Sequence, residues 1–149
     1  MLRPVFLYLH LICAIVWIGG MFFAYFCLRP AALEVLDPPR RLPLWAASFS
    51  RFLPYVGIAV LLLLASGWWL WQSAGAGAAP PGWHVMLTLG LVMAAVYAYV
   101  HAALFPRLRA QCAASAWPDA GQTLNRMRQL VAFNLGLGLI VVAAAVSAR

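Results

Sequence analysis

Long apolar runs alternate along this chain with short arginine-bearing gaps. No Asp, Glu, Lys or Arg occurs from Pro4 to Leu28, from Phe52 to Pro106, or from Gln129 to Ala148. The middle run is interrupted by AGAGAAPPG, residues 74–82. Small residues followed by two prolines and a glycine do not continue a helix, so this run is read as two spans. A membrane crossing takes about 20 apolar residues. In lipid every backbone polar group must be satisfied internally, which makes helices the expected solution. The pattern predicts an all-α integral membrane four-helix bundle, with helices at about 4–28, 53–73, 83–105 and 128–147. The whole chain, 1–149, is read as a single transmembrane domain. The first run is too long and too bulky at its end to be read as a cleaved leader.

Two stretches between spans are expected to hold lesser structure. RRLPLWAASFSRFLPY, residues 40–55, mixes Leu42, Leu44, Trp45, Phe49 and Phe52 with Arg and Ser. It is expected to form a short helix along the cytoplasmic interface. WPDAG, residues 117–121, is read as a turn. Glycines 19, 20, 90, 136 and 138 are expected to let helices approach closely.

Composition agrees with a membrane class. The chain is 66% hydrophobic and 9% charged, where soluble domains carry roughly 25% charged residues. The net charge of +7 comes entirely from arginine. The arginines lie between spans and at the termini, so no nucleic-acid partner is expected; the lipid bilayer is. Arg29, Arg40, Arg41 and Arg51 fall in the first gap, and Arg107, Arg109, Arg126 and Arg128 in the third. The positive-inside rule then predicts a multi-pass protein of a bacterial inner membrane with both termini periplasmic. Cys13 and Cys27 are about 21 Å apart along one helix, too far for a disulfide.

The residues inside the spans that are costly to place in lipid are few: His10, His84, His101 and Asn134. The lack of carboxylates argues against a proton relay and leaves histidine chemistry, that is metal ligation, haem ligation or proton exchange. His10 lies about 9 Å below the outer end of its helix, and His84 at the outer end of the third, so neighbouring helices would bring them close. His101 is about 25 Å deeper than His84 and is expected to form a second polar site with Asn134. WHVML, residues 83–87, adds Met86, and imidazole with thioether suits Cu(I). On helical spacing His10 shares a face with Ala14, Trp17 and Met21, while Met86, Gly90, Met93 and Tyr97 form a stripe on the third helix.

LHLICAIVWIGGMFFAYFCLRPAALEVL, residues 9–36, resembles the first helix of the CopD-like family of inner-membrane proteins. RLPLWAASFSRFLPYV (41–56), WHVMLTLGLVMAAVYAYVHAALFPRLR (83–109) and LNRMRQLVAFNLGLGL (124–139) also look like that family, in its short four-helix form. The spacing of His10, Trp17 and Gly19 is similar to that of HemJ-type protoporphyrinogen oxidases. That family's third-helix Lys is absent; Met86 stands in its place.

Three readings follow. The first is copper handling through His10, His84 and Met86, with a copper ion as cofactor and a periplasmic copper donor as partner. The second is a b-type haem protein with His10 and His84, or His10 alone, as ligands, Trp17 and Tyr97 against the porphyrin, and a quinone as partner. The third is an accessory subunit without a cofactor. Enzymatic activity is expected only under the second, as a haem-dependent membrane oxidoreductase. A homo-oligomer is compatible with all three.

Overall fold

The protein is described by a computed structural model covering residues 2–75 and 79–147. Four helical segments long and apolar enough to cross a membrane follow one another: Leu2–Val35, Pro38–Ser73, Pro81–Ala113 and Trp117–Ser147. The chain is a multi-pass, all-α membrane protein. The first segment comprises α1 (Leu2–Phe22), a π-helical stretch (Phe23–Leu28) and α2 (Arg29–Val35); the second is α3 (Pro38–Ser73). The third comprises α4 (Pro81–Tyr99), a second π-helical stretch (Val100–Leu104) and α5 (Phe105–Ala113); the fourth is α6 (Trp117–Ser147).

The two π stretches have a common local cause. Each ends just before a proline, Pro30 or Pro106. A proline inside a helix has no N–H to donate, and its ring crowds the carbonyl four residues back. The preceding residue bonds five residues back instead: the Arg29 N–H donates to the Ala24 carbonyl, and the Phe105 N–H to the Val100 carbonyl. The widened turn thus absorbs the proline without ending the helix.

Two sequence-based expectations are corrected. Residues 40–55 are helical but do not form a separate interfacial helix. They are the first half of α3, which starts at Pro38–Pro39, takes Asp37 as its N-cap and carries Pro43 and Pro54 in its interior. Its 36 residues span about 54 Å, against a hydrocarbon core of about 30 Å. The arginine-rich end of α3 therefore overruns the apolar layer. WPDAG is not a turn either. The chain reverses at residues 114–116, where Ser115 takes φ 52°, and Trp117 and Pro118 already open α6. Proline is well suited to a first helical turn, so its presence there marks a start rather than a break. Of the turn expected at 74–82, residues 76–78 lie outside the described residues; α3 ends at Ser73 and α4 begins at Pro81.

α1 packs chiefly along α3, and α4 along α6. One core cluster fills the middle of the bundle around Trp17, Met21, Val56, Val60, Met93 and Leu135. Another fills the arginine-rich end, with Leu42, Trp45, Leu104, Leu108, Ala120 and Met127. Large apolar side chains such as Ile15, Leu61, Leu91 and Leu139 point outward, as lipid-facing residues do. Of the glycines expected at helix contacts, two act there. Gly20 leaves room for the Phe52 ring, and Gly138 for Ile18 and Met93, whereas nothing lies within 4 Å of a side chain added at Gly19, Gly90 or Gly136.

Candidate functional site

The buried stripe of α1 is Cys13, Trp17 and Met21, and His10 continues it one turn earlier as a half-buried side chain. This face meets α3. His10 Nδ1 lies 2.9 Å from Ser66 Oγ, and Ser66 is almost fully buried. The hydroxyl of Ser66 donates to the carbonyl of Leu62, with Leu63 as a longer second acceptor. A hydroxyl has one proton. With that proton directed to the α3 backbone, Ser66 is placed to accept from His10, an arrangement that suits a neutral imidazole with its proton on Nδ1. Nε2 then carries the free lone pair. Gly67 makes the approach possible: a Cβ there would lie 3.1 Å from His10 Cε1. Sequence reading missed both Ser66 and Gly67. The available signal was a small polar residue in an otherwise apolar helix.

His84 does not share a hydrogen bond or ring contact with His10 among the described residues. It is exposed and packs edge-on against Trp71 of α3, with ring centroids 5.9 Å apart. Ser66 and Trp71 are about 7.5 Å apart along α3 and about 140° apart around it. The two histidines therefore approach the same end of α3 from different sides. Met86 is half-buried one turn along from Trp83. No group of three or more His, Cys, Asp or Glu side chains is arranged to hold a metal ion among the described residues.

The second polar pair expected from the sequence does not form. Asn134 donates from Nδ2 to the Met93 carbonyl at 3.1 Å, while exposed His101 stacks on Tyr97 at 5.6 Å. Asn134 is drawn inward because α4 and α6 pack closely at Gly138 and Met93; His101 lies two turns further along α4. Asn134 Oδ1 is buried without a partner.

Below this level the bundle holds a cavity of about 240 Å3. Trp17, Tyr97 and Asn134 line its inner part and Arg29, Arg41 and Arg128 its outer part; none of the three histidines lines it. The two π stretches flank it through Ala24, Tyr25 and Val100. Trp17 and Tyr97 meet edge to face at 6.5 Å. Tyr97 Oη donates to the Leu53 carbonyl at 2.9 Å, passing over Gly57, where a Cβ would fall 2.6 Å from that hydroxyl. Gly57→Ala is therefore expected to displace the hydroxyl and lose the bond, at about 0.5–1.5 kcal/mol for the bond, plus local overpacking. In a Tyr97→Phe background the same substitution should cost markedly less, a coupling that thermal melts of the four proteins would reveal.

These features define a four-span membrane protein with a histidine–serine pair toward one end and a basic-mouthed cavity toward the other. The family described as CopD, copper resistance protein D, matches residues 46–148, more than half of the chain, and the chain belongs to that family. The matched stretch contains Ser66, Gly67, His84, Met86 and Asn134; His10 precedes it. No curated protein and no solved structure matches the chain.

Proposed function

We propose that this protein binds and handles copper at the end of the bundle where α1 meets the C-terminal part of α3, with His10 Nε2 as the anchoring ligand. The observation that carries this reading is the His10–Ser66–Leu62 relay. Histidine ligands usually donate their other ring N–H to a fixed acceptor, which sets the tautomer and the ring orientation. Here the acceptor is built into α3, and the nitrogen left free is a competent ligand with no proton to displace. Cys13 lies three residues on along the same face and adds a soft sulfur donor. His84 and Met86, at the same end of the bundle, offer an imidazole and a thioether. His10 and Cys13 on one side of α3, and His84 and Met86 on another, are imidazole, thiol and thioether donors, which favour Cu(I) over harder cations.

The family assignment supports a copper connection. The haem reading needs an axial histidine beside Trp17 and Tyr97, but the cavity bordered by those rings is lined by no histidine, which favours copper. With the arginine-rich end in the cytoplasm of a bacterial inner membrane, the histidine end and both termini face the periplasm, where a copper donor protein would deliver the ion. Metal analysis of the detergent-purified protein after Cu(I) loading and desalting is expected to give stoichiometric copper. A visible spectrum of protein made with ample haem is expected to show no Soret band before or after dithionite. Copper-free protein with a Soret band would replace this reading with the haem one.

A further inference from the structure

We infer that the cavity at the arginine-rich end is a binding site for an amphipathic anion: a carboxylate or phosphate head on an apolar body. It is distinct from the copper reading, which concerns the other end of the bundle. Three observations converge on it. Among the described residues, Arg29, Arg41 and Arg128 are the three half-buried arginines, and all three line this cavity; Arg3, Arg40, Arg51, Arg107, Arg109 and Arg126 are exposed. No carboxylate lines the cavity with them. Finally, Asn134 lines the inner part, is 4% exposed, and leaves Oδ1 without a partner.

The first two carry a cost that a ligand of this class would offset. Three half-buried arginines around one space have lost part of their hydration and repel one another. An anion among them removes both penalties, and guanidinium forks match carboxylate and phosphate oxygens. Arg29 also lies 5.9 Å from the Tyr25 ring centroid, and Arg41 reaches the Leu36 carbonyl at 3.4 Å, so neither contact uses a full fork. A buried acceptor without a donor is uncommon in native structures; Asn134 Oδ1 marks the polar inner limit of the cavity, where a water enclosed behind the apolar body would satisfy it. The cavity, at about 240 Å3, far exceeds the ~10–15 Å3 that one water needs.

The dimensions exclude a small inorganic anion as the full occupant. From Arg128 to Asn134 along α6 is about 9 Å, and from Trp17 to Arg29 along the first segment about 18 Å. The ligand has its head at the mouth, an apolar body of this length against Trp17 and Tyr97, and its end near Asn134. A lipid of the surrounding leaflet and a free single-chain amphiphile share this chemistry.

The test is quenching of tryptophan fluorescence by dibromostearate in the full-length detergent-purified protein, since Trp17 and Trp45 both line the cavity. Saturable quenching is expected, weakened at least about tenfold by Arg41→Gln and Arg128→Gln. Arg51→Gln, outside the cavity, should leave it unchanged. The methyl ester of the same acid should quench only weakly and without saturation. Equal quenching by acid and ester, or identical curves for wild type and the arginine variants, would overturn the proposal, because both indicate partition into the detergent shell. Native mass spectrometry then separates the sources. A co-purified phospholipid lost in Arg128→Gln identifies a leaflet lipid, and saturable acid binding without one identifies a free amphiphile; either supports the site.

Discussion

Replacing His10 by alanine is expected to remove the copper site while leaving the fold in place. The fold should survive because Ser66 keeps its proton on the Leu62 carbonyl, so no donor of α3 is orphaned when the imidazole leaves. Ser66→Ala is the informative companion. It keeps the ligand but removes the acceptor for Nδ1–H, freeing the tautomer and the ring. Loss of such an outer partner typically costs about 10–100-fold in metal affinity, so Ser66→Ala should fall in that range and His10→Ala beyond it. Competition titration with a Cu(I) chelator of known affinity measures both, with thermal melts run alongside. If both substitutions shift the melt but leave copper affinity unchanged, His10 is a packing residue and the copper reading fails. Gly67→Ala should give a smaller loss, since its methyl group meets His10 Cε1 at 3.1 Å and tilts the ring without removing it.

The second large effect is on stability and lies at the other end of the bundle. Met127 is fully buried, in a cluster with Leu104, Leu108 and Ala120. Exposed Arg51, Arg107, Arg109 and Arg126 surround this end, and α3 extends there well past the thickness of a hydrocarbon core. The cluster is therefore shielded from water rather than from lipid, and the hydrophobic effect acts on it fully. Met127→Ala should cost about 2–5 kcal/mol, as other buried large-to-small changes do. Leu139→Ala, on the lipid-facing surface, exchanges one apolar contact for another and should change stability by less than about 0.5 kcal/mol. Denaturant unfolding of the two variants in the same detergent checks the contrast. Equal losses would mean that the cluster is not a water-excluded core.

The four spans were legible because charge-free runs of this length have few alternative fates. The buried stripe through Trp17 and Met21 followed from helical spacing. What escaped the sequence was long-range or depended on proline. Continuation of α3 through Pro43 and Pro54 contradicts the local preference of proline, and tertiary packing of Trp45, Phe49 and Leu53 in the core holds the helix together. Pro118 is ambiguous in sequence, a turn signal that is equally a helix-start residue. The partners of the polar side chains were out of reach: Ser66 is 56 residues from His10, and Met93 is 41 from Asn134. The cavity was not legible either, because three arginines that look alike in sequence differ from the others only in burial.

The central claim, that His10 Nε2 holds copper, is tested most directly by X-ray absorption at the copper edge on Cu(I)-loaded protein. Imidazole scattering together with sulfur scattering is expected in the wild type, with the imidazole contribution reduced or lost in His10→Ala. A spectrum without imidazole scattering, or one that His10→Ala leaves unchanged, would contradict the account.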